Sequence, residues 1–436
     1  MTASAAESRL ARARAALTHI HAALHLGFAF ELWDGSLVPA GSEPGGLRVA
    51  FLDEAAMPRL LRQPNLPTLL DLYVRGAVDI RGGTLFDVAA RRPNLGAGEI
   101  RRRLDKGLLI RTLAPLAFSF PASSLPTAQG AVDAGLAATR GRGSGKADIE
   151  FHYDVSNRFY ELFLDPEMVY SCAYFADWGN DIATAQHDKL EMICRKLRLK
   201  PGDRFLDIGC GWGALVCHAA EHHGVTAHGV TLSSEQLARA KERIEARGLA
   251  DRVTVEIKDF RQLAGRFDKI ASIGMFEHVG MANHSAYFKT IKGLLSERGL
   301  YLHHAITRRG RVSDKAFRRK RPEYAAMTRY IFPGAELDHI GMTAKNLEGH
   351  GFEVHDVEGW REHYARTTKL WAERLLAARE AAIAEVGEAR FRMWVLYLSG
   401  VSLAFERGTL EIFQTLASRR SKGSSGLPPT RADLYR

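Results

Sequence analysis

A chain of 436 residues, 46% hydrophobic, 25% charged and carrying a net charge of +10, has the composition of a globular protein of two or three domains. No run approaches the 18 apolar residues of a membrane-spanning helix, and the N-terminus has no apolar stretch like that of a secretory signal, so a cytoplasmic protein is expected. The excess of basic residues suits a polyanion, whether nucleic acid or an anionic membrane surface, or is simply a solvated basic surface. The four cysteines, Cys172, Cys194, Cys210 and Cys217, make no C-x-x-C pair, and no Cys/His cluster has zinc spacing. Reduced thiols and no metal site are therefore expected.

Residues 8–24 predict a helix with Leu10, Ala13, Leu17, Ile20 and Leu24 on one face and Arg9, Arg12 and Arg14 off it. Such a helix either lies on a membrane or packs on its own domain. Short strand-like and helical runs then alternate, predicting a small N-terminal α+β domain over 1–120. Residues 121–147, rich in Ala, Gly, Ser and Pro, read as a flexible linker. Motifs are dense over 148–418, and 419–436 read as a flexible tail. Between 200 and 310 the strand-like runs RFLDIG, TAHGVTL, VTVEIKD, FDKIASIG and LYLHHAI alternate with helical segments. That pattern predicts an α/β fold, a doubly wound and mostly parallel sheet with ligands at the strands' C-terminal ends.

The strongest local signal is Leu206-Asp207-Ile208-Gly209-Cys210-Gly211-Trp212-Gly213-Ala214, between a strand and a helix. Its spacing is G-x-G-x-G and not the dinucleotide G-x-G-x-x-G, and an acid just before the glycines suits a cationic ligand better than a pyrophosphate.

This word resembles the first motif of class I S-adenosylmethionine methyltransferases. More narrowly, 148–418 resembles the cyclopropane-fatty-acyl-phospholipid synthases and the related mycolic acid cyclopropane synthases. The resemblance rests on Phe151-His152-Tyr153-Asp154-Val155, Tyr170-Ser171-Cys172-Ala173-Tyr174-Phe175, the glycine loop, Gly229-Val230-Thr231-Leu232-Ser233 with Gln236, Gly274-Met275-Phe276-Glu277-His278-Val279-Gly280, and His363-Tyr364-Ala365-Arg366-Thr367. It implies a Rossmann-like methyltransferase fold with a helical insertion after about residue 310. It also implies an S-adenosylmethionine site: Tyr170, Ser171, Gly209 and Gly211 at the methionine end, Thr231, Leu232 and Gln236 near the ribose, and Asp259 and Phe260 at the adenine, with Asp207 also among the cofactor-binding residues.

The implied reaction adds a methyl-derived carbon to a double bond of an unsaturated phospholipid. An alkene is a poor nucleophile, and its methylation leaves a carbocation, so the site must exclude water and supply a base. The resemblance implies a bicarbonate ion as that base, cradled by Cys172, Glu277, His304, the Ile306 N–H and Tyr364. His303 and His304 are adjacent on a strand and point to opposite faces, so only one faces the site; alignment favours His304. The family more usually has Leu and Thr where His303 and Ala305 stand.

The implied partners are unsaturated phospholipids met at the inner face of a membrane, with no nucleic acid; from the domain layout, the N-terminal domain is expected to bind lipid or make a homodimer. Greasy stretches at 311–345, including Tyr330-Ile331-Phe332-Pro333-Gly334, and at 370–415 are either an acyl channel or core. Arg318-Arg319-Lys320-Arg321 and Arg419-Arg420 either bind head groups or are solvated loop. Other readings are a methyl- or methylene-branched product, a small-molecule methyltransferase, and a non-catalytic binding protein.

Overall fold

The N-terminal apolar stripe becomes the helix Ala3–Leu24, with Leu10, Ala13, Leu17 and Ile20 of the expected face on the core. Arg9 is buried with Ala13, Ala16 and Leu17, whereas Leu10 is only half-buried. Arg9 pairs there through Nη2 with Glu54 at 3.0 Å, the partner that makes a buried guanidinium tolerable. The computed structural model describes residues 3–120, 156–318 and 336–435. The linker 121–147, the word Phe151–Val155, the basic run 319–321 and the stretch Tyr330–Gly334 lie outside them.

The chain divides into two units, Met1–Arg140 with Gly387–Ser399, and Gly141–Val386 with Gly400–Arg436. In the first, β1 (Ala29–Glu31), β2 (Leu37–Val38), β3 (Arg48–Phe51) and β4 (Val78–Arg81) form a sheet in the order β2-β1-β3-β4. Its core joins Leu17, Phe30, Phe51, Met57, Leu72 and Leu116. Residues 387–399 read from the sequence as part of the second domain. Instead, buried Arg392 donates to the Tyr73 carbonyl at 2.6 Å and to Asp79 at 2.9 Å, which anchors that segment in the first unit.

The second unit is built on a seven-stranded sheet of β5 (Arg204–Ile208), β6 (Thr226–Thr231), β7 (Val253–Ile257), β8 (Phe267–Ile273), β9 (Leu295–Arg308), β10 (Phe352–Gly359) and β11 (Leu410–Arg419), in the order β10-β11-β9-β8-β5-β6-β7. The five strand-like runs become β5, β6, β7, β8 and β9, all paired in parallel. Two antiparallel strands, β10 and β11, complete it beside β9. Short helices lie between β9 and β10, but the larger helical insertion, Arg361–Ala377, Arg379–Val386 and Glu388–Glu406, separates β10 from β11. Alternating side chains serve two cores: Phe205, Leu300 and Leu302 pack on one face, and Leu206, Ile208 and Tyr301 on the other. The strand order reverses at β5, so a crevice opens beyond its C-terminal end.

The tail is not the flexible segment expected. Leu434 is buried, and Arg198–Asp433 and Arg431–Asp356 ion pairs tie it to the sheet unit. Among the described residues no helix is long and apolar enough to cross a membrane.

Candidate active site

Beyond β5 the chain turns through Gly209 and Gly211 at φ of +86° and +54°. Side chains other than glycine are strained there, and a Cβ on Gly209 would stand 3.1 Å from Met275. The turn opens a cavity of about 740 Å³. All ten residues assigned to the cofactor line it: Tyr170, Ser171, Asp207, Gly209 and Gly211 at one end, and Thr231, Leu232, Gln236, Asp259 and Phe260 toward β6 and β7.

Asp207 is buried, and among the described residues its Oδ1 has no partner. Burial, partly offset by Lys189, raises its carboxyl to about 7. Lys189 also lines the cavity; burial lowers it to about 8 against the pull of Asp165, Cys172 and Asp207. Its Nζ donates to Ser171 Oγ at 3.0 Å, while Gln186 donates to the Val169 and Ser171 carbonyls at 3.1 and 2.9 Å. Both residues come from the helix Ile182–Leu197, which therefore pins the Tyr170–Ser171 loop. Sequence reasoning missed Lys189. The available signal was a lysine on the apolar face of its helix, between Ala185 and Ile193.

Toward β6, Thr231 Oγ1 donates to Gln236 Oε1 at 2.7 Å. With its carbonyl engaged, the Gln236 amide offers N–H donors, the groups that suit a ribose hydroxyl. Phe260 offers an aromatic flank, its ring 5.2 Å from that of Tyr287. The Asp259 carboxylate is less available than expected: it accepts from the Arg261 N–H and guanidinium at 2.6–2.9 Å, and those bonds hold its carboxyl below the usual range.

The five residues assigned to the base cradle lie outside the wall of this cavity, and Cys172, His304 and Tyr364 gather round buried Trp360. Cys172 Sγ is 3.9 Å from the Trp360 carbonyl, the His304 ring is 5.3 Å from the indole, and Tyr364 begins the next helical turn, donating its N–H to the Trp360 carbonyl at 3.0 Å. Tyr364 meets Trp371 edge to face, and Trp371 packs 5.1 Å from Tyr170 in the cavity wall. Glu277 follows β8 between Met275 and His278, which both line the cavity. The ladder between β8 and β9 ends where the Gly274 N–H donates to the His304 carbonyl; the next group on that edge, the Ile306 N–H, donates to Glu277 Oε1 at 2.6 Å. The Ile306 N–H is thus engaged by Glu277. The Cys172 thiol, held protonated by burial, points at the carbonyls of Ala173 and Trp360.

His304 is set in a buried relay. Lys196, paired with Glu358, donates to Gln414 Oε1 at 2.7 Å, and Gln414 Nε2 donates to His304 Nδ1 at 2.9 Å. Lysine only donates, so the Gln414 amide can sit only this way round, and the neutral His304 ring carries its proton on Nε2. Burial, with the charges of Lys189 and Lys196, keeps that ring neutral. Among the described residues neither His304 Nε2 nor Glu277 Oε2 has a partner. Burial raises the Glu277 carboxyl to about 7 against the Ile306 N–H. His303, on the opposite face, hydrogen-bonds to the Tyr301 hydroxyl at 2.8 Å and is part of the packing against Phe276. His278, which shares the Glu277 word, is lowered to about 4 by burial and faces the cavity.

These residues fit S-adenosylmethionine. Asp207 offers a buried carboxylate to a ligand with an ammonium and a sulfonium, Gln236 offers donors to the ribose, and Phe260 offers a flat partner to the adenine. They also fit a small oxyanion that carries a hydrogen, with His304 Nε2–H as donor and Glu277 Oε2 as acceptor.

The family model for mycolic acid cyclopropane synthetase matches residues 142–415. The chain is 38% identical over 417 residues, 95% of its own length and 97% of the relative's, to a probable fatty acid methyltransferase of Pseudomonas putida. It is 40% identical over 268 residues to the cyclopropane-fatty-acyl-phospholipid synthase of Escherichia coli K12, covering 62% of this chain and 66% of that protein. The solved structure of mycolic acid cyclopropane synthase CmaA1 complexed with SAH and CTAB matches 64% of this chain and 99% of that one, at 33% identity and a TM-score of 0.59. A sheet with its crevice beyond β5 is thus what this chain shares with enzymes of known class: it belongs to the mycolic acid cyclopropane synthetase family and is an S-adenosylmethionine-dependent methyltransferase.

Proposed function

We propose that the enzyme adds a methyl-derived carbon from S-adenosylmethionine to the cis double bond of an unsaturated phospholipid acyl chain and closes it to a cyclopropane. The observation that carries this is the buried pair His304 Nε2 and Glu277 Oε2, unpartnered among the described residues and set just behind the cofactor cavity. A methyltransferase acting on an oxygen or nitrogen nucleophile methylates a lone pair and forms no carbocation. One acting on an alkene needs a base for the methyl-derived proton and an interior closed to water.

S-adenosylmethionine, when bound, supplies a methyl group on a positively charged sulfur. The chain's own residues hold it, with Asp207 and the Ser171 loop at the methionine end and Gln236 at the ribose. Tyr170 and Trp212 line the cavity, each packed 5.1–5.3 Å from Tyr160, and set aromatic rings beside a reaction that passes through a cation. A bicarbonate ion would supply the base. His304 would donate to it from Nε2, Glu277 would accept its hydrogen when ionised, and Tyr364 and Cys172 would close the pocket.

The substrate class is supported by what the relatives are named for, fatty acids in Pseudomonas putida and fatty-acyl phospholipids in Escherichia coli, and by CTAB, a single long alkyl chain with a cationic head, in the CmaA1 complex. A branched methyl or methylene product is the second reading. It is favoured by the Pseudomonas putida relative, a probable fatty acid methyltransferase similar over 97% of its length. The enzyme works at the inner face of the membrane, and the N-terminal unit contributes to lipid binding or to a homodimer. Unchanged vesicle activity and oligomeric state after deletion of residues 1–125 would refute that role.

The deciding experiment is mass spectrometry and NMR of lipids from a host expressing the protein. A gain of one CH2 per unsaturated chain with cyclopropane proton signals is expected. A methylated chain without ring signals selects the branched product, and no new lipid despite cofactor binding rejects the lipid substrate. Glu277→Gln and Tyr364→Phe are each expected to lower turnover at least tenfold while leaving S-adenosylmethionine affinity within about twofold. A large loss of affinity instead would remove them from the cradle.

A further inference from the structure

A group of histidines on the far side of the helix Ile182–Leu197 takes no part in the site above. His218 and His222 stand one turn apart on the helix Ala214–His223 and so share a face. His187 meets them from the first helix. One ligand atom from each of these three residues lies within 4.8 Å of the other two. The ring centroids are 4.5 Å apart for His218 and His222, 5.2 Å for His187 and His218, and 6.4 Å for His187 and His222. Imidazole nitrogens about 2.0–2.1 Å from a tetrahedral zinc ion place their ring centroids roughly 5 Å apart, so small side-chain rotations bring the three onto one centre. Glu191, one turn after His187, pairs with His218 Nε2 at 3.2 Å and with His223 Nε2 at 3.0 Å. A carboxylate on one ring nitrogen is the usual support of a metal-bound imidazole, and it leaves the other nitrogen for the ion.

We propose that His187, His218 and His222 bind one divalent transition-metal ion, zinc foremost, that bridges the two helices. Three imidazoles with no carboxylate among the donors disfavour magnesium and calcium, which take oxygen ligands. His187 and His222 are exposed while His218 is buried, so the ion sits at the surface with its fourth position open to water. The first helix carries Lys189 and Gln186 to the Ser171 loop, and the second opens directly from the glycine loop. The ion therefore staples together the two elements that shape the methionine end of the cavity. The linear sequence held no zinc spacing because the ligands come from two helices. His218 also belongs to a second grouping with Cys194 and His223, and the sulfur makes the two distinguishable.

The test uses the full chain without an affinity tag, stripped with a chelator and titrated with Co²⁺. The expected result is one equivalent bound with the visible absorption of tetrahedral Co²⁺, displacement by Zn²⁺, and a rise in unfolding temperature on adding Zn²⁺. The His187→Ala/His222→Ala double variant, altered at exposed positions, should unfold at the wild-type temperature without metal and lose all three effects. Glu191→Gln should weaken Zn²⁺ binding by roughly 10- to 100-fold. Should the double variant be unstable, the single variant His222→Gln decides by the same readouts. Wild type and variant binding Co²⁺ equally, or no stoichiometric binding by the wild type, would overturn the proposal. So would a thiolate-to-cobalt charge-transfer band that vanishes in Cys194→Ser, because the ion would then sit on the other grouping.

Discussion

Asp207 and Lys189 face one cavity in states that burial makes easy to change, near 7 and near 8. A cationic ligand favours the ionised carboxylate, so below pH 7 binding must first drive a proton off Asp207. S-adenosylmethionine affinity should therefore fall up to about tenfold per unit as pH drops from 7 to 6, with proton release on binding. Calorimetry in buffers of different ionisation enthalpy measures both; Asp207→Asn should bind more weakly and lose the slope. The Lys196–Gln414–His304 relay makes a different prediction. Gln414→Leu frees the His304 tautomer, so turnover should drop about tenfold or more at unchanged S-adenosylmethionine affinity. The ¹⁵N shifts of the His304 ring, which a purely structural role would leave unmoved, should show the Nε2–H form giving way to a mixture. The ten positions expected at the cofactor come from local family words, and all ten line the one cavity. Lys189, Lys196 and Gln414 were not legible in the sequence, because each looks like ordinary helix or strand until packing places it: Gln414 meets His304 across 110 residues of chain.

The turn from β5 into the helix Ala214–His223 is the element on which the cofactor site depends. Gly209 has φ of +86° and its Cβ position is 3.1 Å from Met275. Gly209→Ala should destabilise the fold by about 1–2 kcal/mol and weaken S-adenosylmethionine binding as well, seen as a lower unfolding midpoint that added ligand only partly restores. The five parallel strands were readable because each is a short apolar run bounded by turn residues and followed by a helical period. The pair β10 and β11 was not. β10 carries His355, Asp356 and Glu358 along a half-buried edge, and β11 lies in a stretch whose apolar residues also suit a helix. Pairing makes them strands, β11 against β9 and β10 against β11.

For the whole molecule the leading electrostatic fact is the charge of +10. If the substrate is met at an anionic surface, vesicle binding should strengthen with the fraction of anionic lipid. It should weaken severalfold between 50 and 300 mM salt, on the order expected as the Debye length shrinks below about 10 Å. Co-sedimentation across a salt series measures this, and binding indifferent to both variables would remove charge as the basis of membrane contact.

By itself the sequence determined the parallel α/β core, the glycine turn and the family, since these rest on local periodicity, on backbone conformations only glycine adopts freely, and on contiguous words. Only the tertiary structure decided what depends on residues far apart in the chain. It buried Arg9 against Glu54, placed 387–399 with the N-terminal unit, docked the tail through Leu434, and gave the Ile306 N–H to Glu277. It also set His187 beside His218 and His222. A charged or polar group can be buried only where a partner meets it, and which partner arrives is fixed by how the elements pack, not by the residues on either side.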